Sequence, residues 1–121
     1  MGLDMSFYKT NKSLTNSEML RMVNNYYNDI DAELNEVFTE IGYFRKKYNI
    51  MDLCVKHGVK LEDDIFIRLT KDNISDVIID LTKDYLNKPL NHVMIFFELF
   101  NVLCEIRCDM GEFDLLLINS Y

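Results

Sequence analysis

The chain has 121 residues, with 13 Lys+Arg against 20 Asp+Glu, a formal charge of −7, and 49% hydrophobic and 27% charged residues. That is one domain, residues 1–121, with enough apolar content for a core, and four Gly and one Pro are too few for a linker or a low-complexity segment. The acidity disfavours direct contact with a nucleic-acid backbone, and no apolar run reaches the roughly 18 residues that span a bilayer.

The first segment alternates, with Leu3, Met5 and Phe7 on one side and Asp4, Ser6 and Tyr8 on the other. This period of two predicts a half-buried strand. Thr15 and Glu18 fit a capping box ahead of Met19, Val23, Tyr26 and Ile30, which follow at helical spacing. The same rhythm runs on through Leu34, Val37, Phe38, Ile41, Phe44, Tyr48, Met51 and Val55. It predicts two helices, 16–28 and 32–56, with Asp31 able to cap the second, or one long kinked helix over the same span. Lys56 and His57 before Gly58 supply a stop, with Gly58 expected in the left-handed cap conformation.

Ile65–Leu69 reads as a short strand after the acidic turn Glu62-Asp63-Asp64. Thr70 or Asn73 then caps a helix whose Ile74, Val77, Ile78, Leu81 and Tyr85 share a face, and Pro89 ends it. Leu90 to Cys108 is apolar nearly all round, so this helix is expected to be the most buried element, with Phe97 and Phe100 in the core. Gly111 stops it. Phe113 to Ile118 carries five apolar residues in six, which predicts a central strand buried on both faces. The expected fold class is α+β: three or four helices packed on a small sheet made from the two chain ends and the short middle strand.

Chemistry-bearing motifs are sparse. The chain contains no H-E-x-x-H, Walker loop or dinucleotide fingerprint, and neither His57 nor His92 sits in a recognisable nucleophile motif. Cys54-x-x-His57 and Cys104-x-x-x-Cys108 supply ligand types suited to tetrahedral zinc, but buried structural thiols are the simpler account. No metal or cofactor is expected, and three cysteines without a disulfide framework fit a reducing compartment. Together with an N-terminal segment unlike a signal peptide, this gives a cytoplasmic expectation with no membrane role.

Gly42 in the middle of a helix would cost about 1 kcal/mol against Ala, which invites close approach of a backbone or a ligand. Where that helix crosses the terminal strands, Asp4, Glu40, Tyr43, Arg45 and Ser120 would form a polar rim. The rim serves either as a binding site or as an ion pair holding helix to sheet. Glu33, Glu36 and Glu40 along one helix face and Glu62, Asp63 and Asp64 in the turn are acidic surfaces suited to a basic protein.

Three segments also resemble a known group. Gly2-Leu3-Asp4-Met5 opens the chain, Glu40-Ile41-Gly42-Tyr43-Phe44-Arg45-Lys46 lies in its middle, and Asn119-Ser120-Tyr121 closes it. The pattern is similar to small uncharacterised proteins of phages and bacterial genomes that open with GLDMYL, carry an EVGYWRK helix and finish near SSW. Ser6, Phe44 and Tyr121 stand where that group has Tyr, Trp and Trp. The resemblance implies paired terminal strands and a phage or mobile-element setting, and it implies no activity. The expected function is an acidic binding protein that occludes a host or rival-element protein, as an anti-defence inhibitor or as an immunity protein to a basic toxin. The alternative is a small-ligand or nucleotide-acting enzyme centred on Asp4, Glu40, Tyr43 and Arg45.

Overall fold

The computed structural model describes residues 2–28 and 37–121. Strand β1 (Asp4–Thr10) leads to helix α1 (Asn16–Asn28), then β2 (Phe38–Arg45), α2 (Tyr48–His57), β3 (Val59–Glu62) and β4 (Phe66–Leu69). Helix α3 (Lys71–Leu86), a 3-10 turn (Leu90–His92), α4 (Val93–Asp109) and β5 (Leu115–Ser120) complete the chain. The described residues thus form an α+β fold of four helices and one sheet, with strand order β2-β1-β5-β4-β3 and every neighbouring pair antiparallel.

The two end strands meet as the sequence implies, with Ser6 opposite Ile118 and Phe7 opposite Leu117. β5 occupies the middle of the sheet because its run of leucines can fill both sides. Leu115 and Leu117 join Leu3, Met5, Phe7, Ile67 and Leu69 under α2, α3 and α4, while Leu116 faces Phe66, Phe38, Met19 and Val23 on the α1 side. Arg68 locks that second side. Its Nε donates to Asp114 Oδ2 at 2.8 Å, and its Nη1 to the Leu14 carbonyl at 2.7 Å and to Asn16 Oδ1 at 3.1 Å.

The helix expected over 32–56 is the main correction. Within it, residues 38–45 form a strand and only 48–57 are helical. Phe38, Thr39, Ile41, Tyr43 and Phe44 are β-formers, and Gly42 weakens a helix. The helical rhythm was an imitation produced by a bulge. Phe7 pairs with Gly42 and Tyr8 with Glu40, so Ile41 is the extra residue; Phe38 is buried on the α1 side and Ile41 and Phe44 pack on the other, which leaves the apolar positions three apart. Lys46, with φ of 57°, then turns the chain, its N–H donating to the Leu3 carbonyl at 2.7 Å. Gly42 keeps its role of permitting close approach, but from a strand. A Cβ there would lie 2.5 Å from Ile106 Cδ1, so the absent side chain is what lets α4 settle on β2.

Other caps follow the sequence with adjustments. Thr15 accepts from the Glu18 N–H at 3.2 Å, and Thr70 and Asn73 form a reciprocal capping box. Gly58 caps α2 in extended backbone rather than the left-handed region, its N–H still reaching the Cys54 carbonyl at 2.8 Å. Gly111, by contrast, does take a left-handed conformation after α4, with φ of 73°.

Helix α4 is not the most buried element. Leu99, Leu103 and Ile106 are buried, whereas Val93, Met94, Ile95 and Phe97 are exposed and Phe100 is only partly covered. The sheet and its neighbours need one face of α4, and its remaining apolar residues point outward. Leu103→Ala should therefore cost about 2–5 kcal/mol in urea melts and Phe97→Ala less than about 1 kcal/mol. Equal losses would place Phe97 in the core. For the Gly42 contact, Gly42→Ala alone should cost about 1–3 kcal/mol. Combined with Ile106→Ala, the loss should fall clearly short of the sum, because the added methyl occupies the vacated space. Additive losses in that cycle would show that the two positions do not press on one another.

Candidate functional site

The antiparallel register decides which candidate residues meet. Asp4 lies opposite Arg45 on one side and Ser120 on the other, and Tyr43 sits opposite Ser6 two pairs further along. All four share the sheet face on the α1 side, at the end of the sheet where β2 finishes. The Tyr43 hydroxyl donates to Asp4 Oδ1, and Arg45 Nε stands 4.0 Å from the same oxygen. The hydrogen bond to Asp4 is the chief reason the Tyr43 phenol titrates above its usual range, and Glu40 contributes least. Glu40 is opposite Tyr8, beyond the bulge, and is exposed. The contact between Asp4, Tyr43 and Arg45 thus ties strand to strand, where the sequence reading had it tie helix to sheet. On so exposed a surface such a pair is worth about 0–1 kcal/mol.

The acidic turn joins the same end of the sheet. Glu62-Asp63-Asp64 caps the β3–β4 hairpin, with Asp63 at φ of 43°. Next to it, the Asn119 N–H donates to the Ile65 carbonyl at 2.8 Å and the Asn119 amide donates to the Asp64 carbonyl. Lys60 pairs with Asp64 at 3.4 Å. The row across the sheet end therefore reads Arg45, Asp4, Ser120 and then the acidic turn, basic at the β2 corner and acidic at the hairpin corner. Glu33 and Glu36 lie outside the described residues.

Aromatic side chains punctuate this end. Tyr43, Tyr48 and Tyr121 are each about half-exposed. Tyr121 donates to Met51 Sδ at 3.1 Å, and its phenol is pushed up mainly by partial burial, with Asp64, Tyr48 and Asp52 adding to it. A shallow cleft of about 370 Å³ runs beside it, lined by Glu62, Ile65, Phe66, Asn119, Ser120 and Tyr121, with Asn24 of α1 across. Asn119 is buried and its Oδ1 has no hydrogen-bond partner among the described residues. Sequence reasoning included Tyr43 but missed Tyr48, Tyr121 and Asn119. Tyr48 and Tyr121 come from opposite halves of the chain, and only the placement of β5 beside α2 brings them together.

The four candidate metal ligands take other roles. Cys54 is deep in the core, where burial pushes its thiol up to about 12, so it stays protonated and inert. His57 turns to α3, where its Nε2–H donates to Asp80 Oδ2 at 2.6 Å, and Lys56 reaches the same oxygen at 3.1 Å. Cys104 is half-buried and Cys108 exposed, one turn apart on α4. Among the described residues no group of three or more His, Cys, Asp or Glu side chains is close enough to hold a metal ion.

Searches against family models, curated proteins and solved structures gave no match to this chain.

The contact between α2 and α3 carries a pH signature. The bond from His57, and secondarily that from Lys56, holds Asp80 below the usual carboxylate range. A carboxylate lowered in the folded state contributes stability above the unfolded value, about pH 4, and loses it as pH falls through the folded value. Asp80→Asn should therefore lower the Tm at neutral pH, with the gap to wild type closing in acid. A gap that stayed constant down to pH 3 would assign the loss to packing instead of charge.

Proposed function

We propose that this protein is a small acidic binding protein of a phage or mobile element that occludes a basic partner protein with the end of its sheet. The observation that carries the reading is the placement of half-exposed Tyr48 and Tyr121 near Asp64 of the Glu62-Asp63-Asp64 turn, at one end of the sheet. Tyrosines supply rigid, amphipathic contact area and are enriched at the centres of protein interfaces. Carboxylates beside them steer a basic partner toward the face and speed encounter. The mixed signs along the row, Arg45 at one corner and the acidic turn at the other, suit an irregular protein surface better than a uniformly anionic nucleic acid.

The resemblance to small phage and bacterial proteins, borne by residues 2–5, 40–46 and 119–121, supports the mobile-element setting. Either an anti-defence inhibitor or an immunity protein to a basic toxin nuclease fits this reading. Gene neighbourhood separates them, because an immunity gene follows its toxin gene. The enzyme alternative draws less support. Asp4, Tyr43 and Arg45 bond to one another on an exposed strand surface, and Glu40 stands apart from them.

Affinity capture from host lysate, followed by mass spectrometry, should recover one dominant basic protein. With that partner in hand, Glu62→Lys/Asp63→Asn/Asp64→Lys should slow association about tenfold or more at low salt while changing dissociation little. Unchanged association would remove the turn from the interface. If Glu40→Ala or Arg45→Ala abolished the biological effect while partner binding stayed intact, the enzyme reading would replace this one.

A further inference from the structure

The cleft of about 370 Å³ between the β3–β4 hairpin, the end of β5 and α1 has a one-sided chemistry. Ile65, Phe66 and Tyr121 give it apolar and aromatic lining. The Tyr121 ring is 57% exposed, yet it is held in place by the bond from its hydroxyl to Met51 Sδ. Among the lining residues Glu62 is the single charged one. Its carboxylate makes no ion pair or hydrogen bond among the described residues, and exposed Asp63 follows it in the turn.

The cleft also holds an acceptor with nothing to accept. Asn119 lines it and is only 1% exposed. Its amide nitrogen donates to the Asp64 carbonyl, which fixes Oδ1 as the end left over, without a hydrogen-bond partner among the described residues. A buried acceptor in that state costs free energy that an incoming N–H would recover. The cations nearby leave the cleft free. Lys60 pairs with Asp64 at 3.4 Å, and exposed Arg21 lies about half a turn of α1 away from the buried Met19 and Val23.

A ligand for this cleft therefore brings a positive charge, more than one N–H donor and a face that packs on a ring. A guanidinium has all three. It is planar, donates in a fork that matches a carboxylate, and stacks on aromatic faces, whereas an ammonium is a point charge without a face. The methylene stem behind it suits Ile65 and Phe66. From this match we infer that the cleft receives one arginine side chain of the basic partner, its guanidinium against Tyr121 and its N–H groups directed to Glu62 and Asn119. The inference takes its partner from the occlusion reading and names the group recognised at that end of the sheet.

Proton–nitrogen correlation NMR of the full chain, titrated with N-acetyl-L-arginine amide, tests it. The probe should shift the Asn119 side-chain amide, Ser120 and Tyr121 in a saturable way, with a Kd in the millimolar range. N-acetyl-L-lysine amide should bind several-fold more weakly. Glu62→Gln should weaken the arginine probe about tenfold and leave the signals of core residues unchanged. Equal binding of the lysine probe, or shifts that Glu62→Gln leaves unaltered, would overturn the guanidinium site. An arginine probe that leaves the cleft untouched, in a chain that still captures a basic partner from lysate, would overturn this inference alone. Saturable binding of the probe at Asn119, in a chain that captures no basic partner, would keep the guanidinium site and overturn the occlusion.

Discussion

The structure depends on one pairing, the antiparallel contact of β1 with β5 at the centre of the sheet. Each strand brings what the other lacks. β1 offers Met5 and Phe7 to one face only, whereas β5 offers Leu115 and Leu117 to that face and Leu116 to the other. Once joined, they present two free edges, and β2 and β4 attach one to each. The helices then have surfaces to cover. The hydrogen bond from Thr10 Oγ1 to the Asp114 carbonyl, at 2.8 Å, closes the far end of the same pair. On the other edge of β5, the Asn119 N–H donates to the Ile65 carbonyl and holds the start of β4.

Much of this architecture was legible in the sequence, and what was hidden has identifiable causes. β1, α1 and α3 each carry a clean periodicity, and β4 and β5 are short apolar runs beside a turn. β2 did not, because its apolar residues, split between the two faces around the bulge at Ile41, fall three apart and copy a helix. The strand reading needed weight on β-forming residue types over spacing, and Gly42 was the clue that pointed that way. β3 escaped notice for another reason: its burial alternation is nearly absent, since it is an edge strand with Val59, Lys60 and Glu62 all exposed. For α4, apolar residues all round were read as burial all round. One strip meets the sheet and another is left facing outward, a distinction that composition cannot make.

The candidate binding face shows the same division. Of the expected rim of Asp4, Glu40, Tyr43, Arg45 and Ser120, the structure brings all but Glu40 to one corner of the sheet, although the element assumed to carry Glu40, Tyr43 and Arg45 is a strand and not a helix. The terminal strands supplied Asp4 and Ser120, and β2 replaces the expected helix at the same crossing point. The acidic turn was recognised as a unit but not as a neighbour of that group. Its proximity follows from the β5–β4 register, which sets Phe66 opposite Ile118 and so carries the hairpin turn alongside Asn119 and Ser120. Long-range register of this kind has no local signature in the chain.

The central position of β5 also sets the order of events during synthesis. The seat between β1 and β4 can be filled only when residues 115–120 have left the ribosome, by which time every other strand is already outside. Until then β1 displays an unpaired edge with Met5 and Phe7 uncovered, a template for pairing with the wrong chain. Closing so long a loop is also slow, because its entropy must be overcome before any contact repays it. Folding of this sheet therefore waits on residues 115–120, and its most vulnerable species is the chain in which β5 has yet to take its seat.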